Sequence, residues 1–165
     1  MNLHENKTLF LDLIHTVSDT LDLDEVYVEK DYWITRSLQR IEKLASLFRF
    51  SFSSDPRVAL ASKIRHFYDL YYLAKDEECA AYVQTSDFKR EFVELLTHDQ
   101  KIFDTPENWK EKKMSQSSLV ADFPALWTFL RIVYSSELPK LAFAAVPDER
   151  EVAKTFVRIV EQLNS

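Results

Sequence analysis

Not one glycine occurs among the 165 residues of this chain. Average usage of about 7% would supply roughly a dozen, and the absence removes whole classes of chemistry. A P-loop, a G-x-G-x-x-G dinucleotide turn, a G-x-S-x-G nucleophile elbow and any glycine-framed phosphate cradle are all excluded. A β-rich fold is disfavoured too, because primed hairpin turns and bulges lean on residues that tolerate positive φ. Cysteine is nearly as scarce: Cys79 stands alone, which excludes an intrachain disulfide and a cysteine-based zinc cluster and suits a reducing compartment. No apolar run reaches the roughly 18 residues of a membrane span. The stretch Met1-Asn2-Leu3-His4-Glu5 carries no basic region followed by an apolar one, so no signal peptide is visible. The expectation is a soluble, cytoplasmic protein that does not enter a membrane.

What is present is 46% hydrophobic and 29% charged, with a net charge of −6 that is unevenly spread. Residues 1–35 hold two bases against eight acids, residues 36–66 seven bases against two acids, and residues 67–165 twelve against seventeen. The basic middle block comprises Arg36, Arg40, Lys43, Arg49, Arg57, Lys63 and Arg65. Such a block marks either a phosphate or nucleic-acid surface or a solvated face that pairs with its acidic neighbours.

Helical periodicity dominates the rest. Phe10, Ile14, Val17 and Leu21 recur at three- and four-residue steps and make one apolar stripe. Asp24 is placed to cap a long second helix whose buried face would be Tyr27, Ile34, Leu38, Ile41, Ala45 and Phe48. Phe48 to Ser53 alternates strictly, but with no second strand to pair with, it reads as a helix end running into an extended loop. Asp55-Pro56 starts a helix expected to reach Ala74, with Leu60, Ile64, Phe67 and Tyr71 inward. Asp76-Glu77-Glu78 reads as an interruption before a helix from about Asp87 that buries Phe88, Phe92, Leu95 and Leu96. Thr105-Pro106 starts a short turn of helix, residues 110–118 form a loop, and Pro124 opens an apolar helix through Trp127, Leu130 and Val133. Pro139 and Pro147 punctuate the stretch after it. Asp148-x-x-Glu151 is a capping-box pattern ahead of a closing stripe of Val152, Phe156, Ile159, Val160 and Leu163. The reading is an all-α helical bundle over 1–165, a single domain with an N-terminal region 1–41 and a C-terminal helical region 42–165.

Two stretches are too dense in polar and aromatic residues for simple packing: Glu29-Lys30-Asp31-Tyr32-Trp33 and Lys63 to Tyr71. On a helix, Arg65 and Asp69 form an i,i+4 pair and His66 and Asp69 an i,i+3 pair, so the three share a face. Asp69 could then be a base or metal ligand with Arg65 and His66 as phosphate binders. The plainer reading is a salt-bridge cluster worth under about 1 kcal/mol if exposed. A His/Asp pair alone is not a metal site, which usually takes three or more ligands.

Glu29-Lys30-Asp31-Tyr32-Trp33-Ile34-Thr35 resembles the E-K-D-Y-W-x-T signature of the AbiEii-like nucleotidyltransferases. That family supplies the toxins of type IV abortive-infection toxin–antitoxin systems. Arg65-His66-Phe67-Tyr68-Asp69-Leu70-Tyr71 resembles its R-H-x-x-D-L-Y motif, and Glu42-Lys43-Leu44 resembles the E-K-I/L pair upstream of it. The family carries an α/β core between the first motif and the E-K pair, with a glycine-glycine-x-serine loop and an Asp-x-Asp metal pair. That core binds a nucleoside triphosphate and its magnesium ions. Here Ile34 to Ile41 runs almost straight into Glu42-Lys43, and the chain has no glycine to build that loop elsewhere.

The resemblance therefore implies an internally deleted form, with Lys30, Asp31, Lys43, Arg65, His66 and Asp69 as motif remnants. By position, Lys43 would be a phosphate contact and Asp69 a carboxylate of the catalytic site, with Arg65 and His66 orienting it. Phosphoryl transfer depends on positioning and on bound metals, so no cofactor and no nucleotidyl transfer are expected without the carboxylate pair. A helical interaction module that meets an antitoxin-like partner is one outcome. An active nucleotidyltransferase or phosphoryl-transfer enzyme using the His66/Asp69 cluster, with Asp31 or other acids, is another. A nucleic-acid-binding module, built on the basic block and Phe48, Phe50 and Phe52, is a third. Helices stripped of a core expose apolar surface, and a homodimer through residues 24–74 is the expected remedy, given Tyr27, Trp33, Phe48, Phe67, Tyr68, Tyr71 and Tyr72 there.

Overall fold

The alternating stretch from Phe48 does not leave the helix at Phe48: α2 spans Glu25–Ser51, and its last turn carries the alternating residues. A computed structural model describes residues 6–142 and 145–164, with the side chains of residues 30, 31 and 33–40 outside the description. Every regular element among the described residues is helical. After α1 (Lys7–Leu21) and α2 come α3 (Pro56–Ala61), α4 (Ile64–Leu73), α5 (Glu77–Val83) and α6 (Ser86–Ile102). A 3₁₀ turn over Met114–Gln116 precedes α7 (Ser118–Ala121), α8 (Phe123–Leu141) and α9 (Glu149–Asn164). The fold is all-α. No helix among the described residues is long and apolar enough to cross a membrane.

Residues 1–39 and residues 40–165 form two compact units. The first holds α1 and the N-terminal part of α2. Phe10 and Ile14 are its buried apolar residues on α1, and the Phe10 ring meets Tyr32 at 5.0 Å. Leu21 and Tyr27, both expected inside, are 60% and 66% exposed. Each lies within a few residues of the bend between the helices. That bend needs a left-handed residue, and without glycine Asp22 takes it at φ 52°. Aspartate and asparagine are the side chains that tolerate this region best, and Asn108, at φ 60°, is its counterpart in the second unit.

The second unit owes its core to α2 residues 41–51 and to α4, α6, α8 and α9. Ile41, Ala45 and Phe48 are buried as their spacing predicts, and Leu44 and Leu47 join them; Ile34 and Leu38 lie outside the described side chains. Phe48 meets Phe92 of α6 edge-on at 5.2 Å. Phe67 of α4 is the hub, with ring centroids of Phe156 at 4.8 Å, Trp127 at 5.3 Å and Phe123 at 6.4 Å. Three of the rings expected to need a second copy, Phe48, Phe67 and Tyr68, are thus covered by the chain itself.

Local chemistry explains the boundaries that differ from the expected ones. Asp55 caps α3 by accepting from the amides of Arg57 and Val58, with Pro56 in the first turn. The helix expected to run on to Ala74 breaks at Ser62 and Lys63 and restarts as α4. Asp76-Glu77-Glu78 starts a helix rather than interrupting one. Asp76 accepts from the Cys79 amide, and Glu77 and Glu78 occupy the first turn of α5, where acids meet the positive end of the helix dipole. Thr85 caps α6.

Thr105-Pro106 begins turns, not helix, and the expected loop at 110–118 contains the 3₁₀ turn and the start of α7. Trp109 anchors that segment, fully buried, with Nε1 donating to the Phe103 carbonyl at 2.9 Å. Asp122 caps α8 through the Ala125 amide. Pro139 lies within α8 rather than ending it; it sits in the final turn, where its missing N–H removes a single bond. The closing stripe Val152, Phe156, Ile159, Val160 and Leu163 is buried throughout, and Asp148 accepts from the Arg150 amide at 2.9 Å.

Candidate functional site

Three of the motif residues stand on α4 because a ten-residue helix starting at Ile64 puts Arg65, His66 and Asp69 on one side. The fourth comes from α2. Lys43 Nζ donates to Asp69 Oδ2 at 2.5 Å, across 26 residues of chain. Arg65 Nε lies 3.9 Å from Asp69 Oδ1. Asp69 is therefore bracketed by two cations, with its side chain 17% exposed and that of Lys43 30%. Lys30 and Asp31, the remaining motif residues, lie outside the described side chains.

His66 completes the cluster. Its Nδ1 is buried with no hydrogen-bond partner among the described residues. Burial, reinforced first by the positive charge of Lys43 and then by those of Lys63 and Arg65, pushes its pKa down to about 4, against the opposing pull of Asp69. His66 is thus a neutral imidazole at pH 7, and it adds no charge to a phosphate site.

The carboxylate supply does not suit the magnesium ions that the resemblance implies. Two-metal phosphoryl transfer needs converging carboxylates that hold the ions about 3.5–4 Å apart. Among the described residues no three of His, Cys, Asp and Glu come together in a way that could hold a metal. Asp69, the one acid of this cluster, already faces Lys43 and Arg65, and Lys63 is close enough to act on its neighbour His66. A cation would have to displace those partners and meet their repulsion. The described residues do not fit the two-metal group.

The basic block and its aromatics arrange themselves differently from the nucleic-acid reading. Phe48 is buried in the core, so no base can stack on it. Phe50 has its ring beneath the Arg49 guanidinium at 5.0 Å and the Lys63 ammonium at 4.7 Å. Phe52 packs partly against the core. Arg49 also lies over Phe103 at 4.0 Å, its Nε is buried without a partner, and its charge acts on Asp99, whose pKa burial raises. Sequence reasoning found Arg49 as part of the charge block but not this cation–aromatic stack, because Asp99 and Phe103 lie some fifty residues downstream and no spacing links them.

The Lys43–Asp69 contact is intermediate between an exposed ion pair and a buried one, which sets its expected energetics. A double-mutant cycle with Lys43→Met and Asp69→Asn should give a coupling energy of about 1–2 kcal/mol, read from denaturant midpoints. A coupling indistinguishable from zero would show that the pair is incidental to the fold. No protein-family model matches the chain, and neither a curated protein nor a solved structure is found to be similar to it.

Proposed function

We propose that the chain is a degenerate AbiEii-like nucleotidyltransferase toxin-family protein, inactive as an enzyme and acting as a helical interaction module. One observation carries the reading. The Lys43–Asp69 ion pair joins the two stretches, Glu42-Lys43-Leu44 and Arg65 to Tyr71, that resemble successive family motifs. Side chains from two stretches that resemble successive motifs are here in direct contact across 26 residues of chain. Their meeting fits an inherited site frame, and the charge balance around Asp69 fits a frame that no longer serves metal-dependent transfer. With the Asp69 carboxylate engaged by lysine and arginine, the cluster is suited to tie α2 to α4.

Incubation of the protein with radiolabelled nucleoside triphosphates, magnesium and a tRNA pool is expected to leave no label on RNA above a buffer control. Incorporation that disappears in Asp69→Ala would overturn the inactivity and restore the enzyme reading. Catalysis of this kind gains most of its rate from metal-borne charge stabilisation, so the expected result is absence, not a modest decrease.

A further inference from the structure

The first unit presents more apolar surface than its own helix pairing uses. At 100° per residue, Leu9, Phe10, Leu11, Leu13, Ile14, Val17 and Leu21 occupy an arc of roughly 200° on α1, whereas a helix packed on one neighbour typically needs little more than about 100°. Only Phe10 and Ile14 of that arc are buried. Leu9 is 54% exposed and Leu13 41%; they form an i,i+4 pair on one flank. Beyond that arc α1 carries Asp12 and Asp19, and further acids cluster at the bend and the start of α2. Between residues 6 and 29 Lys7 is the one Lys or Arg, against Asp12, Asp19, Asp22, Asp24, Glu25 and Glu29, and all six acids are exposed.

Exposed leucines with Asp12 beside them, on a hairpin whose net charge is negative, define the chemistry of what covers them. A second copy would bring two strongly negative hairpins face to face, and like-charge juxtaposition at an interface is costly. A helix carrying an apolar stripe flanked by lysine or arginine satisfies both features, burying the leucines and pairing the acids. We infer that the Leu9–Leu13 flank of α1 is a docking surface for a basic amphipathic helix of a partner protein. This gives a partner class to the interaction role proposed above, and the two fail separately: labelled RNA would end the first, whereas only binding data bear on the second.

The test uses the full chain and two synthetic helices of roughly five turns, each with leucines along one face and either lysines or glutamates elsewhere. Fluorescence anisotropy should show binding of the lysine helix, weakening as salt rises, and none of the glutamate helix. The charge-neutral surface double variant Leu9→Ser/Leu13→Ser should lose about tenfold in affinity, while Ile132→Ser, an exposed apolar position of the other unit, should lose nothing. Equal binding by the double variant would reduce the effect to bulk charge and overturn the assignment, as would equal binding of both helices or of neither. Light scattering that finds a dimer, dissociated by the same double variant, would also overturn it, by making a second copy the occupant.

Discussion

Phe67→Ala is expected to cost about 3–5 kcal/mol of folding stability, the range for deleting a buried phenylalanine from a close-packed core. The size follows from where the ring sits. Phe67 is 1% exposed and touches aromatic rings from two other helices, Phe123 and Trp127 of α8 and Phe156 of α9. Removing it takes away burial of the ring, its edge-on aromatic contacts, and the filler between three helices that cannot all move inward together. Denaturant titration should show a lower midpoint with the slope retained. A loss below about 1 kcal/mol would mean that α4, α8 and α9 collapse onto the space, and that the core is looser than its geometry implies. Phe67→Leu, which restores most of the volume, should recover at least half of the loss.

The second large effect is a pH dependence centred on His66. Its pKa falls from 6.5 to about 4 on folding, so between those values the unfolded chain takes up a proton that the folded chain refuses. Stability contributed by the neutral imidazole is complete above about pH 6.5 and is lost as pH falls towards 4. One proton sets an upper slope of about 1.4 kcal/mol per pH unit. Partial exposure of the ring reduces the total to about 2 kcal/mol. The His66→Gln variant isolates this contribution, because it removes the imidazole and leaves every carboxylate in place. Stability of the wild-type chain relative to the variant should be constant from pH 7 to 8 and decline from pH 6.5 to 4.5. Parallel curves across the whole range would show that His66 is charged, or wet, in the folded protein.

Which features are readable without the fold depends on how local their causes are. The closing helix is legible because Val152, Phe156, Ile159, Val160 and Leu163 recur on one face and Asp148 stands at its start. Asp55-Pro56 is legible for the same reason: cap and proline act within one turn. Tyr27 is misplaced because periodicity gives a face but not the reach of the neighbour that covers it. α5 is missed because acids at a helix start resemble a break, although Asp76, Glu77 and Glu78 favour that terminus. The pause at Ser62 and Lys63 carries neither proline nor glycine, so nothing in the local chemistry announces it. Helical spacing places Arg65, His66 and Asp69 together. The approach of Lys43 to Asp69 is suggested by motif resemblance alone, since no spacing rule spans 26 residues. The Arg49–Phe103 stack has neither signal.

Filling both observed left-handed positions with Asp22 and Asn108 has a consequence for the chain before it folds. Glycine widens the backbone freedom of an unfolded chain more than any other residue, and that freedom is surrendered on folding. A sequence with none starts from a narrower ensemble along its whole length. The steric penalty of placing a side chain at positive φ is met at these two residues, whereas the entropy withheld from the denatured state accrues at every position where a glycine would otherwise stand. The trade favours an architecture of helices, which asks for left-handed residues only at its bends.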